Sequence, residues 1–243
     1  MAALFDVTFR RPLLIADFDA PQRMVSWSLN RPGFVTARQV AWLEVRNTDL
    51  TADMDPLVWF RDRLEAEGLA EAVGLITSRN VTHHHLAVRQ VEGITAASLV
   101  TLGLNNGECV GSRFSAAEAA RILGGNTPQG PHQGSRPLGT VNILCAVNAP
   151  LTDAALLEAS SIVVQARTRA ILEVDFHRPG NDNAISGTGT DCVVMTAPVA
   201  EPDARQPYAG LHTPTGEAIG AATLVAVREA AAVWLADPGR HVF

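Results

Sequence analysis

An ordered pattern in the second half of the chain limits the folds open to it. An apolar run suited to a strand spans Val141–Val147, and a helical pattern begins near Thr152. A loop rich in glycine and threonine, Ser186–Asp191, then leads directly into a second apolar strand at Val193–Thr196. This order predicts a strand, helix and strand unit in which one apolar side of the helix packs on the sheet.

The rest of the chain completes the predicted fold. Apolar runs bounded by proline and glycine make the first third rich in strands. Asp55 and Pro56 are typical of a helix start, and Gly68 of its end. Three further strands follow, the last two joined by a tight hairpin at Glu92-Gly93. The predicted strands of this half are Leu13–Ala16, Met24–Trp27, Val40–Val45, Ala72–Thr77, His85–Val91 and Ile94–Leu102.

Two further helices and a long loop are predicted. A capping box at Ser115 and Glu118 opens a short helix, and the segment from Gly124 to Gly139 is a polar loop. The last helix spans Glu217–Leu235. The expected fold is a single α/β domain over residues 1–243, with a mixed α+β arrangement as the alternative. Its N-terminal half is mostly β-structure, and a terminal helix packs on its C-terminal half.

Composition and charge exclude several classes of function. The chain has 243 residues, a net charge of −6 and no lysine, so no basic stripe is available for nucleic acid. Its three cysteines are odd in number and widely spaced, which favours a reducing cytoplasm over a disulfide framework. We expect no apolar run near the roughly 20 residues that a membrane helix needs, and therefore a cytoplasmic protein without a membrane partner. A homo-oligomer is compatible with the sequence.

The loop Gly187-Thr188-Gly189-Thr190-Asp191 is the strongest candidate for a functional site. Glycines let backbone N–H groups approach a ligand, while the threonines and the aspartate supply hydroxyls and a charge. A phosphate-binding P-loop follows a strand and carries a lysine, whereas this loop precedes a strand. Phosphate transfer is therefore disfavoured. The alternative is a tight turn whose threonines bond to local backbone groups.

Four other polar clusters stand at the edges of apolar elements. Together with the loop they supply amides, hydroxyls, a carboxylate and an imidazole, which suffice for hydrolysis without a cofactor. Asn105 and Asn142 could equally be buried structural amides, and His212 a histidine bonded to backbone. A run of three histidines cannot converge on one metal ion in an extended chain, because neighbours point to opposite faces. The clusters are Gly103–Asn106, Gly139–Asn142, Tyr208–Thr213 and Gly216-Glu217, and the histidine run is His83–His85.

Taken in order, these motifs resemble the adenosylcobinamide amidohydrolase family, CbiZ. The likeness runs from about Val73 to the last helix, and the Gly139 and Gly187 motifs are its most specific parts. The resemblance implies cleavage of the amide that joins the aminopropanol arm of adenosylcobinamide to the corrin ring. Adenosylcobyric acid would result and re-enter cobalamin synthesis. The chain departs from the family at Gln165, where a glutamate is usual, and in the loop from Gly124 to Pro137, which is longer and more polar than expected.

Hydrolysis of an amide requires a positioned nucleophile, a stabilised oxyanion and a proton for the departing amine, and we assign these roles as a hypothesis. Asp191 or His212 orients or deprotonates the attacking water, and His212 protonates the departing amine. Backbone N–H groups of Gly187–Thr190, with Asn142, face the oxyanion. A nucleophilic Thr188 or Thr190 is the competing route. The remaining predicted substrate-binding residues are Asn105, Thr140, Gly187, Gly189 and Glu217.

The partners follow from the same hypothesis. We expect a small-molecule corrinoid as substrate and no cofactor, although a divalent metal held by Asp191, His212 and Glu217 stays open. Two other functions stay open as well. One is a corrinoid carrier without catalytic activity, and the other is an unrelated amide hydrolase with the same loop chemistry.

Overall fold

The protein has one large mixed sheet that curls over on itself. Helices pack on the outer face of each half of this sheet. The computed structural model describes residues 3–46, 49, 54–112, 139–177 and 182–238. The strands in these ranges are β1 (Asp6–Arg10), β2 (Leu13–Ser26), β3 (Gly33–Glu44), β4 (Val73–Thr77), β5 (His84–Val91), β6 (Ile94–Leu102), β7 (Gly107–Glu108), β8 (Val141–Val147), β9 (Gly187–Thr188) and β10 (Cys192–Pro198). The α-helices are α1 (Pro56–Ala66), α2 (Asp153–Leu172) and α3 (Pro214–Ala236). This architecture confirms the predicted mixed α/β class.

The sheet order is β4-β3-β2-β10-β8-β6-β5, with β1 paired to β2. Strands β8 and β10 are parallel neighbours joined through α2, which confirms the strand, helix and strand unit. Strands β5 and β6 form the expected antiparallel hairpin, and β7 pairs with β9 in a separate two-stranded sheet. The residues Asn142 and Cys192 stand opposite each other, so the starts of β8 and β10 lie side by side.

Three apolar clusters hold these layers together. The first joins α2 and α3 to the outer face of β6, β8 and β10, and includes the α2 residues Leu156, Val163, Ala170 and Ile171, which form the side of α2 that packs on the sheet. The second lies inside the curled sheet, where Trp42 and Leu75 meet Leu99 and Leu144. The third packs α1 on the outer side of β3 and β4. The sheet therefore folds over on itself, which brings β4 close to β8.

Local signals in the sequence account for the ends of several elements. Asp55 caps α1 by accepting hydrogen bonds from the N–H groups of Leu57 and Val58. The β5–β6 hairpin turns through positive φ angles of 47° at Glu92 and 85° at Gly93. These predictions are confirmed. The predicted helix that opens at the Ser115 capping box and the loop from Gly124 to Gly139 lie almost wholly outside the described residues, with Gly139 alone inside them.

The last helix corrects one expectation. By length and composition alone, α3 is apolar enough to cross a membrane, although no such segment was predicted. Half of its most apolar 18-residue window is buried, and its residues Ile219, Val227 and Trp234 belong to the core cluster with α2. Its hydrophobicity is therefore explained by packing between α2 and the sheet. The helix begins at Pro214, three residues before the predicted start at Glu217.

The outer edge of β4 is covered by side-chain amides. The Asn30 side chain donates to the Ala72 carbonyl at 2.9 Å and accepts from the Gly74 N–H at 2.8 Å. Asn142 on β8 donates to the Ile76 carbonyl at 2.6 Å. The two asparagines thus provide hydrogen bonds that a neighbouring strand would otherwise make, and they fasten β4 to the loop after β2 and to β8.

We predict that Gly74→Ala destabilises the protein by about 1–3 kcal/mol. A Cβ at Gly74 would lie 2.6 Å from Phe60 Cζ and 2.7 Å from Leu64 Cδ1, and both side chains are fully buried. Gly220→Ala is the matched control, because its Cβ would meet only Ile162 Cγ2 at 3.5 Å. That change should stabilise α3 by about 0.5–1 kcal/mol. Urea unfolding of both variants checks the prediction, and an equal effect of the two would contradict it.

Candidate active site

Three of the five polar clusters meet at the starts of β8 and β10. The Gly189 N–H donates to the Asn106 carbonyl at 3.2 Å, which joins the glycine-threonine loop to the loop after β6. Gly139 packs so tightly on this loop that a Cβ there would lie 2.8 Å from the Asn105 nitrogen. A glycine is therefore required at this contact. The predicted residues Asn105, Thr140 and Gly189 are brought together as expected for one site.

The Asp191 carboxylate is the centre of this assembly. Its Oδ2 accepts from Arg167 Nη1 at 2.7 Å and from the Thr188 N–H at 3.0 Å. Its Oδ1 accepts from the Val141 N–H at 3.0 Å and from the Thr188 hydroxyl. A carboxylate offers about four lone-pair positions, and all four are used here. Asp191 can therefore take no proton from a water molecule unless one of these bonds breaks.

Burial and pairing act in opposite directions on this carboxyl group. Only 7% of the Asp191 side chain and 13% of the Arg167 side chain are exposed. Burial raises the pKa of Asp191 above its ordinary value, while the Arg167 guanidinium and the bonds from Thr188 and Val141 oppose the rise. A carboxylate with a raised pKa is a better proton acceptor than an ordinary aspartate. Among the groups that donate to Asp191, the Thr188 side chain supplies the hydroxyl.

Two threonines join the loops on either side of Asp191. The Thr140 hydroxyl donates to the Thr190 carbonyl at 2.8 Å, and the Thr190 hydroxyl donates to the Gly139 carbonyl at 3.3 Å. Both hydroxyls therefore face carbonyl oxygens, which cannot accept a proton as a base does. The Thr190 N–H, in contrast, has no hydrogen-bond partner in the described part of the chain.

The two predicted amides differ in their surroundings. Asn142 is 1% exposed and bonds to the Ile76 carbonyl, which is a structural contact between β8 and β4. The Asn105 side-chain oxygen is buried, and no group in the described ranges bonds to it. A buried acceptor without a partner is costly, so Asn105 has capacity for a ligand or a water molecule. Their roles in substrate binding stay predictions.

A cavity of about 510 Å³ opens beside this assembly. Thr140, Asn142 and the segment Gly189–Cys192 form its polar side, and β4 forms the side opposite. Trp27 and Leu29, in the loop after β2, add apolar surface and are about half exposed. The Trp27 indole N–H donates to the Asp191 carbonyl at 2.6 Å, which fixes this loop to the site. The cavity can therefore hold a ligand with both apolar and polar groups.

The other two clusters lie at the opposite end of β8 and β10. The Ala209 N–H bonds to Glu158 Oε2 at 2.7 Å, near the start of α2, and the Gln206 carbonyl accepts from the Thr152 N–H. The seven residues of β10 separate this end from Asp191, a span of roughly 20 Å. His212 and Glu217 are both exposed there. They cannot reach a substrate group held at Asp191.

This placement corrects the predicted cooperation of the two ends. Asp191, His212 and Glu217 do not form one ligand set for a metal, and His212 is too far away to protonate an amine that leaves beside Asp191. Within the described ranges, no three His, Cys, Asp or Glu side chains are grouped so that they could hold a metal ion. Gln165, where the family usually has a glutamate, is exposed on α2 and does not line the cavity.

The three cysteines are buried thiols. All three are free, and burial raises the pKa of Cys145 and that of Cys192 to about 12 each. A thiol with so high a pKa is not a nucleophile near neutral pH. Cys192 therefore lines the cavity as an apolar group.

Sequence reasoning missed two residues of the site. Arg167 and the exposed Arg169 lie two residues apart on α2. Only the rotation of α2 about its axis determines that Arg167 is the one that contacts Asp191. Trp27 was assigned to a strand, although it follows the end of β2 and lines the cavity. A signal for Arg167 was available, since a buried aspartate requires a cationic or hydrogen-bonding partner.

The fold and the site define a class of protein: a mixed α/β domain in which glycine-rich loops line a cavity. The chain belongs to the adenosylcobinamide amidohydrolase family, CbiZ, whose profile matches residues 2–238. This membership confirms the resemblance found in the sequence and makes the chain a member of an amidohydrolase family.

Two proteins are similar to this chain in sequence, at 31% and 35% identity. The chain is 31% identical over 172 residues to a Halobacterium salinarum protein named adenosylcobinamide amidohydrolase, which covers 70% of this chain and 62% of the relative. It is 35% identical over 94 residues to the uncharacterized protein MJ1613 of Methanocaldococcus jannaschii, covering 38% of this chain and 36% of that one. The chain thus spans less than two thirds of either relative.

Among solved structures, the PH0078 protein of Pyrococcus horikoshii OT3 superposes loosely on this chain. The TM-score is 0.45 and the identity 10%, over 90% of this chain and 76% of that chain.

We predict that Arg167→Met destabilises the protein by about 3–5 kcal/mol near pH 7, because it leaves the buried Asp191 carboxylate without its cation. Without the guanidinium the pKa of Asp191 rises further above its unfolded value, so the folded state holds the proton more tightly. The deficit should therefore be largest at neutral pH and shrink as the pH falls towards about 4.

The control for this prediction is Arg169→Met on the same helix. Arg169 is 66% exposed and pairs with Glu173, so its removal should change the free energy of unfolding by no more than about 0.5 kcal/mol. Urea unfolding near pH 7 and near pH 5 compares the variants. A loss in Arg167→Met that is independent of pH would contradict the assigned pairing.

Proposed function

We propose that this protein hydrolyses the amide that links the aminopropanol arm of adenosylcobinamide to the corrin ring, in salvage of cobalamin precursors. The products are adenosylcobyric acid and 1-amino-2-propanol. The observation that carries the proposal is the family match over residues 2–238, together with the meeting of three of the five polar clusters beside a cavity of about 510 Å³. The cavity joins apolar surface to amide, hydroxyl and carboxylate groups, as a ring with amide side chains requires.

The geometry favours Thr188 among the nucleophiles considered. Its hydroxyl donates to Asp191, which in turn is held by Arg167, so a nucleophile, a base and an orienting group follow one another. The hydroxyl of Thr190 bonds to a carbonyl and lacks such a base. A water molecule would have to displace an existing bond to reach the Asp191 carboxylate. Thr188 therefore attacks the amide carbon as its proton passes to Asp191.

The remaining steps follow from the same groups. Attack of Thr188 on the carbonyl gives a tetrahedral oxyanion, and the unpaired Thr190 N–H is a candidate donor to it. As the C–N bond breaks, the proton on Asp191 passes to the departing amine. Water then attacks the ester on Thr188 and releases the corrinoid acid, with Asp191 taking the water's proton and returning one to Thr188. The bond between Thr188 and Asp191 is broken in the ester, which frees a lone pair of Asp191 for that water.

The test is to incubate the purified protein with adenosylcobinamide and to follow both products by mass spectrometry. Appearance of adenosylcobyric acid together with 1-amino-2-propanol supports the proposal. Binding of adenosylcobinamide without cleavage would favour a corrinoid carrier instead. Absence of binding would overturn the corrinoid assignment and leave an amide hydrolase with another substrate.

We predict that Thr188→Val lowers kcat by at least about 1,000-fold, since it removes the nucleophile while keeping the shape of the side chain. Thr188→Ser keeps a hydroxyl and should retain measurable turnover. Thr190→Val loses only the bond to Gly139 and should cost less than about tenfold. Steady-state kinetics with adenosylcobinamide compares the three variants. Turnover by Thr188→Val at a level close to that of the unmodified chain would exclude Thr188 as the nucleophile.

A further inference from the structure

The edge of β4 has a short unpaired section that faces the cavity. The bonds made by Asn30 and Asn142 show that the backbone groups of Ala72, Gly74 and Ile76 point away from β3. Thr77 faces the other way, since its carbonyl accepts from the Val45 N–H. The Gly74 carbonyl and the Ile76 N–H must therefore also point outward. Neither has a partner in the described part of the chain.

Unpaired backbone groups at a largely buried strand are uncommon. Gly74 is buried, Ile76 is half-buried, and both line the cavity of about 510 Å³. Such groups carry a free-energy cost unless water or a ligand bonds to them. The open section is too short for a peptide strand, because Asn30 occupies the edge on one side and Asn142 on the other. Only a small polar group fits between them.

The structure itself shows which group fits this edge. The primary carboxamide of Asn30 bridges the Ala72 carbonyl and the Gly74 N–H, with its oxygen and one N–H on the same side. The Gly74 carbonyl and the Ile76 N–H repeat that acceptor and donor two residues further along the strand. The Asn30 contact is therefore a template for the open position.

We propose that the Gly74 carbonyl and the Ile76 N–H bind a primary carboxamide side chain of the corrin substrate. The proposal extends the function proposed above, since the corrin ring carries primary carboxamides around its rim. The amide that is cleaved is a different group and does not bind at this edge. In that secondary amide the N–H and the oxygen lie on opposite sides in the trans form, so one such group cannot bridge both edge atoms. The β4 edge is thus a specificity site that orients the ring beside Asp191, whose carboxylate accepts a hydrogen bond from the Thr188 hydroxyl.

The first test uses nuclear magnetic resonance of the ¹⁵N-labelled protein. Propanamide is the primary amide probe, and N-methylpropanamide is the matched secondary amide. With propanamide, the Ile76 amide proton should move downfield and its hydrogen exchange should slow. N-methylpropanamide should produce a clearly smaller response. No response of Ile76 to propanamide, or equal responses to the two probes, would overturn the proposal.

The second test removes the backbone donor. Ile76→Pro deletes the N–H at an outward-facing edge position, where proline does not interrupt the β3–β4 ladder. Ile76→Val changes the side chain but keeps the N–H, so the effect is the ratio of the two dissociation constants for adenosylcobinamide. We expect Ile76→Pro to bind about tenfold more weakly than Ile76→Val. A ratio near one in two folded variants would contradict the proposal.

The two proposals can fail separately. If adenosylcobinamide is neither bound nor cleaved, the proposed function fails, while the propanamide titration of the unmodified chain still decides whether the β4 edge binds primary amides. If adenosylcobinamide is cleaved but Ile76 responds to neither amide, the edge site fails and the enzymatic function stands.

Discussion

The site depends on one carboxylate that joins three segments distant in sequence. Asp191 binds Arg167 from α2, the backbone of Val141 at the start of β8, and Thr188 from the loop that precedes β10. Each donor comes from a different element, so the carboxylate sets their spacing. Burial makes this arrangement costly for a lone charge, and the Arg167 guanidinium offsets the cost. The same bonds that hold the loop also place a hydroxyl against a base with a raised pKa. The Asp191 carboxylate therefore both holds the loop in place and serves as the base for the Thr188 hydroxyl in the proposed reaction.

A second constraint comes from the curl of the sheet. Because β3 and β4 fold over β6 and β8, the outer edge of β4 lies beside the starts of β8 and β10 instead of facing bulk solvent. Two asparagines, Asn30 and Asn142, bond to most of this edge, which protects it from pairing with another chain. The section left open is the part that lines the cavity. The backbone groups of this open section are therefore accessible to a ligand in the cavity.

The sequence predicted features that depend on neighbours along the chain. The start of α1 at Asp55-Pro56 and the hairpin at Glu92-Gly93 follow from local chemistry, because capping and positive φ angles involve few residues. The strand, helix and strand unit followed from hydrophobic periodicity. Arg167 could not be found in this way, since its contact with Asp191 depends on how α2 is rotated over the sheet. Curling of the sheet, which places Asn142 against Ile76, is likewise set by packing between strands distant in sequence.

The position of His212 shows where reasoning from motifs alone fails. Like the loop at Asp191, its segment contains glycine and hydroxyl groups, yet its polar atoms mostly bond to one another. The Thr213 hydroxyl donates to the Gly210 carbonyl and accepts from the Gly216 N–H, so it caps α3. A Cβ at Gly216 would overlap the Gly210 carbonyl oxygen, which explains that glycine by packing alone. At the other end, the Asn105 oxygen and the Thr190 N–H lack such partners within the described chain. Glycine-rich polar loops thus serve either to start a helix or to bind a ligand, and the difference lies in whether their donors and acceptors already bond to one another.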